Sequence, residues 1–175
     1  DSDLGAFSVG WHYAKEDLPS LRLANLAALP HPLSVDTYIE QTLRDAKAVL
    51  VRLIGGMPYW SYGLQQLRAV AEENGIALAV LAADGRADSQ LDDISTLPVS
   101  TLRRLRQLCD AGGPDAASAA LAQLALSAGL FARPKIGQKN PPRVGGWSLQ
   151  NRLSCPAGFA LRVIPKPAVV ISFYL

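Results

Sequence analysis

Two short apolar runs limit the folds open to this chain. Ala48-Val49-Leu50-Val51-Arg52-Leu53-Ile54 is almost wholly apolar, rich in branched side chains and stopped by Gly55-Gly56. That length and composition suit a strand covered on both faces. Ile76-Ala77-Leu78-Ala79-Val80-Leu81 repeats the pattern, and between the two runs Leu64, Leu67, Val70 and Ala71 recur at helical spacing before a left-handed stop at Asn74-Gly75. Strand, helix and strand in this order predict a right-handed crossover between parallel strands, hence an α/β layer. The run at 48–54 reads as its central strand.

The flanks extend the same scheme. Leu4 to Ala14 fits a short helix, and Leu21-Arg22-Leu23-Ala24-Asn25-Leu26 alternates as a strand does. Pro30-His31-Pro32 breaks the chain; Ser34 then fits an N-cap, with Asp36 in the first turn and Val35, Ile39, Leu43 and Ala46 along one face. Asp84 to Asp93 reads as a loop, Leu102, Leu105 and Leu108 mark a helix, and Gly112-Gly113-Pro114 introduces an Ala- and Leu-rich one that ends at Gly129. Beyond Arg133, Pro and Gly interrupt any regular pattern until Ala168 to Tyr174, which reads as a strand closing this sheet or opening a next domain. The expected organisation is an α/β domain over 1–129, a Pro/Gly-rich connection over 130–167 and a strand over 168–175. The expected fold class is a Rossmann-like or flavodoxin-like parallel sheet with flanking helices. From the missing initial Met and the apolar ending, the expectation is an incomplete fragment of a larger multidomain protein.

Composition excludes several function classes. Apolar residues make up 49% of the 175 residues, ample for a packed core. Seventeen Lys and Arg against fifteen Asp and Glu leave +2, too little charge to advertise a nucleic-acid or anionic-membrane surface. Cys109 and Cys155 form no CxxC pair, and no apolar run reaches the length of a membrane span, so the expected setting is cytoplasmic. Neither a Walker phosphate loop nor GxGxxG is present, so ATP and dinucleotide cradles are absent in recognisable form. HExxH and GxSxG are absent too, and His12 and His31 stand apart from the cysteines. Asp84-Gly85-Arg86-Ala87-Asp88 resembles a calcium loop only superficially, because its Gly comes second and Ser95 stands where a bidentate Glu is needed. A solvated loop whose Asp side chains accept backbone amides explains it as well.

Local chemistry concentrates in Gly55-Gly56-Met57-Pro58-Tyr59-Trp60-Ser61-Tyr62-Gly63, between a strand and a helix. In open α/β sheets this is the carboxyl edge, where ligands bind. Aromatics and glycines there offer flat apolar surface beside backbone amides, suited to a large planar ligand or a neighbouring domain. The alternative is that the glycines turn the chain and the aromatics cover the sheet edge. The candidate binding residues are Arg52, Gly55, Gly56, Tyr59, Trp60, Tyr62 and Gly63.

Leu18-Pro19-Ser20-Leu21-Arg22-Leu23-Ala24-Asn25-Leu26, His31-Pro32-Leu33-Ser34-Val35-Asp36, Val51 to Gly56 with Tyr59-Trp60-Ser61-Tyr62-Gly63, Ser95-Thr96-Leu97-Pro98 and Gly112-Gly113-Pro114 occur in that order. Together they resemble the N-terminal region of the CobN-type cobaltochelatase large subunits, relatives of the magnesium chelatase large subunit. The likeness covers about residues 1–129 and thins beyond. It implies ATP-dependent insertion of cobalt into a tetrapyrrole, hydrogenobyrinic acid a,c-diamide, in aerobic cobalamin biosynthesis. ATP is then hydrolysed on AAA+ type partner subunits, in keeping with the missing phosphate loop. The segment itself is expected to bind no cofactor and to work with downstream domains of its own chain.

The resemblance transfers no catalytic residue. His31 and Asp36 form a His and carboxylate pair that suits removal of pyrrole protons, or a simple turn. Arg52 and Arg22 could meet ligand carboxylates or be structural. Two other readings stay open: a magnesium chelatase segment, and a non-catalytic α/β binding or interaction domain.

Overall fold

The computed structural model describes residues 2–133. Helix α1 spans Ser2–Tyr13 and is followed, after a 3-10 turn at Leu26–Ala28, by α2 at Pro32–Tyr38, which runs on through a π turn at Ile39–Leu43. Then come β1 (Ala48–Leu53), a 3-10 turn (Met57–Tyr59), α3 (Ser61–Asn74), β2 (Ala77–Ala82), α4 (Ser89–Ile94), α5 (Val99–Ala111) and α6 (Gly113–Ser127). The two strands pair in parallel, with Ala48 beside Ala77 and Leu53 beside Ala82. The expected α/β layering is therefore present, dominated by helices. Among the described residues no helix is long and apolar enough to cross a membrane.

The period-2 alternation of a strand sends the two side-chain sets into separate cores. Val51, Leu53, Leu78, Val80 and Ala82 pack with Val35, Ile39, Leu64, Leu67, Ala71, Leu91 and Ile94 from α2 to α4. Ala79 and Leu81, with half-buried Ala48 and Leu50, meet Phe7, Leu102, Leu105, Leu108, Ala117, Ala120 and Leu124 from α1, α5 and α6. The small residues of α6 let α1 approach closely: a Cβ added at Gly10 would lie 2.3 Å from the Pro114 carbonyl oxygen. α3 ends as its sequence predicts, at Gly75 with a left-handed φ of 64°.

The two outer edges of the sheet differ. Ala77 and Ala83 donate to the carbonyls of Lys47 and Leu53, so odd-numbered residues bond across the sheet and even-numbered ones point outward. On β2 the outward groups from Ile76 O to Val80 N are met largely by a side-chain pair. Thr96 Oγ1 accepts from Leu78 N at 2.8 Å and donates to Ile76 O at 2.9 Å, and Ser95 Oγ accepts from Val80 N at 2.9 Å. Thr96 N adds a backbone bond by donating to Leu78 O at 3.0 Å, so this edge is covered from Ile76 O to Val80 N. On β1 the backbone groups of Ala48, Leu50 and Arg52 meet no comparable partner among the described residues.

Several expectations are corrected. The alternating stretch 21–26 is not a strand: Leu23 is 39% exposed, so the alternation produces no buried face. The strand at 48–54 ends at Leu53, and β2, buried at every position, is better covered than β1, half-buried at four of its six. Ser34 does not cap α2. Pro32 starts the helix three residues earlier, and His31 Nδ1 accepts from Leu33 N at 3.3 Å. The polar stretch 84–93 enters α4 at Ser89, capped by Asp88 Oδ1 through Gln90 N at 3.0 Å. Its Asp side chains do accept backbone amides, Asp84 Oδ1 taking Arg86 N at 3.1 Å. The expected connection beyond residue 133 and the strand at 168–175 lie outside the described residues.

Candidate functional site

The loop after β1 is shaped by two glycines. Gly55 and Gly56 have φ of 94° and 68°, a region that strains any side chain, and a Cβ at Gly56 would come within 3.0 Å of Asp88 Oδ2. The 3-10 turn at 57–59 then places neighbouring aromatics in opposite environments. Trp60 turns inward, donating Nε1 to Leu29 O at 3.0 Å and packing against the first core. Its ring occupies the space over Gly63, where a Cβ would fall 2.2 Å from Trp60 Cε2. Trp60 and Gly63 are therefore one packing unit at the start of α3.

Tyr59 turns outward and is 61% exposed, and Ile54, just before the glycines, is 71% exposed. Tyr62 lies on the surface, its hydroxyl donating to the Asp36 carboxylate at 2.8 and 3.0 Å. That hydrogen bond raises the phenol above the ordinary tyrosine value, with desolvation and the Asp36 charge acting in the same direction. Leu33, on the first turn of α2, is 69% exposed. The outer surface thus combines exposed apolar and aromatic groups with a Tyr–Asp pair.

Arg52 belongs elsewhere. Its even position sends its side chain to the opposite face from Val51 and Leu53, where Nη2 meets Asp110 Oδ1 at 2.9 Å and Nη1 pairs with Asp3. The structure therefore brings Gly55, Gly56, Tyr59 and Trp60 together in the loop with Tyr62 and Gly63 in the first turn of α3, and commits Arg52 to joining β1, α1 and α5. His31 and Asp36 are divided as well, one capping α2 and the other holding Tyr62. Cys109 is buried in the second core, and burial pushes its thiol up to about 11. No group of three or more His, Cys, Asp or Glu gathers among the described residues.

Sequence reasoning missed Leu33 and Ile54, both exposed, and the approach of Asp88 to Gly56; it singled out Asp36 but paired it with His31, where the structure pairs it with Tyr62. Exposure after an apolar run signals Ile54, but only the fold places α2 against the loop.

No protein-family model matches the chain. Curated relatives do match: it is 39% identical over 113 residues to the aerobic cobaltochelatase subunit CobN of Pseudomonas aeruginosa, covering 65% of this chain and 9% of the relative. The chain is similar to a segment of CobN. The CobN of a Sinorhizobium species agrees, at 38% identity over 115 residues, 66% of this chain and 9% of the relative. A solved structure, the catalytic subunit of cobaltochelatase from Mycobacterium tuberculosis, shares the fold with a TM-score of 0.59 at 20% identity, over 83% of this chain and 12% of that one. The CobN likeness expected from the sequence blocks is thus borne out, and the chain spans about a tenth of the length of these relatives.

Proposed function

We propose that this chain is the N-terminal segment of a CobN-type cobaltochelatase large subunit, and that the 55–63 loop forms part of a wall facing the tetrapyrrole. The identity to CobN carries the first statement. Exposed Tyr59 and Ile54 at the carboxyl edge of the sheet support the second, since flat apolar side chains beside glycine backbone suit a macrocycle face. In this reading the whole protein inserts cobalt, as substrate, into hydrogenobyrinic acid a,c-diamide in the cytoplasm, with ATP turned over on AAA+ type partner subunits. The loop contributes contact and orientation; proton removal and metal delivery belong to residues elsewhere in the polypeptide.

The test is titration of the chain with hydrogenobyrinic acid a,c-diamide, following ligand absorbance and tryptophan fluorescence. Saturable binding that weakens about tenfold in Tyr59→Ala, with the thermal midpoint unchanged, is expected for an exposed aromatic contact. Trp60→Ala is the wrong probe, because it removes a packing unit. Absence of binding by this chain, with binding by the full-length subunit, makes the loop a scaffold and overturns its place in the ring site.

A further inference from the structure

The helical layer beside α1 is wider than the sheet it covers. α5 packs on β2, α6 packs on α5 and β1, and α1 packs along the far side of α6. Packed helices lie about 8–10 Å apart whereas neighbouring strands lie about 4.8 Å apart, so three helices side by side cover more strands than β1 and β2 provide. α1 overhangs the space beside β1.

That space is also where the backbone lacks partners among the described residues. Ala48, Leu50 and Arg52 direct their N–H and C=O groups to this side, and β1 is less buried than β2. A row of unpaired strand groups between apolar layers is a template for another strand. The opposite edge, with no further strand among the described residues, shows how this fold covers such groups, from Ile76 O to Val80 N, through Ser95 and Thr96.

The orientation of α1 identifies the occupant. Asp3, in its first turn, is held by Arg52 near the carboxyl end of β1, so α1 starts where β1 finishes. A helix starting there is the continuation of a strand parallel to β1, joined by the short turn usual in βα units. We infer that the outer edge of β1 is the seat of a third parallel strand, formed by the polypeptide that leads directly into α1. Its side chains are apolar on both faces, because it lies between Ala48 and Leu50 on one side of the sheet and Val49 on the other. This inference is independent of the tetrapyrrole reading.

The test compares amide hydrogen exchange by NMR in the 175-residue chain and in a chain extended by the twenty or so residues that its genome encodes before Asp1, enough for one strand and a turn. In the extended chain the Leu50 and Arg52 amides are expected to exchange about 100-fold or more slowly than in the shorter one, while Val49 and Val51, already bonded to β2, serve as the unchanged reference. Nuclear Overhauser contacts from the added residues to Leu50 are expected with parallel register. Unchanged exchange at Leu50 and Arg52, protection without those contacts, or an encoded leader lacking an apolar run overturns the inference.

Discussion

The two edges of the sheet solve the same problem differently. Both β1 and β2 present outward N–H and C=O groups at alternate residues. β2 hands those from Ile76 O to Val80 N to Ser95 and Thr96, whose hydroxyls act as a substitute strand one residue at a time. β1 keeps them free among the described residues and is tied instead by side-chain charge, with Arg52 reaching Asp3 and Asp110. A finished edge is closed by neutral groups that cannot template another strand, whereas an edge held only at one corner stays competent to add one.

The largest effect in breaking this contrast is expected from Thr96→Val, which keeps the shape but leaves Leu78 N–H and one acceptor site of Ile76 O unsatisfied in a fully buried strand. A loss of about 2–4 kcal/mol in urea unfolding is expected, with faster amide exchange at Leu78. Gly10→Ala acts on the β1 side by wedging a methyl against the Pro114 carbonyl; about 1–3 kcal/mol is expected, read by the same unfolding curve. Arg52→Met is smaller, within about 1 kcal/mol, because the thioether fills the apolar part of the site and both carboxylates are open enough to hydrate. A loss above 3 kcal/mol would show that charge, not packing, holds α1 in place.

The smallest effect lies outside both edges. Tyr62 is raised by its bond to Asp36, so the protonated phenol is the form favoured by the fold. Its contribution is fully present below the ordinary tyrosine range and is lost as pH rises through the elevated folded value. Ultraviolet titration of the phenolate band is expected to show one tyrosine ionising late, and Asp36→Asn is expected to bring it back toward the others.

Much of this architecture is legible in the sequence because its signals are local. The apolar runs stopped by Gly55-Gly56 and preceded by Asn74-Gly75 identify β1 and β2, and Pro114 and the 102–105–108 spacing identify α6 and α5. What escapes detection depends on contacts distant in the chain. Leu21 to Leu26 alternates correctly but has no strand to pair with among the described residues; His31 displaces Ser34 as cap because Pro32 fixes the helix start. Ser95-Thr96-Leu97-Pro98 stands out as a resemblance block, yet its physical task is visible only once β2 lies beside it. At the candidate site the glycine-aromatic loop is legible as a unit. The division of labour within it is not, because the inward turn of Trp60 depends on Leu29 and that of Arg52 on Asp3 and Asp110.

The most direct measurement of the central contrast is residue-resolved amide hydrogen exchange on the 175-residue chain. The amides of Leu78 and Val80, closed by Thr96 and Ser95, are expected to exchange only with global unfolding, while those of Leu50 and Arg52 exchange at least about 100-fold faster. Equal protection of the two sets would contradict the account by showing that the outer edge of β1 is already closed.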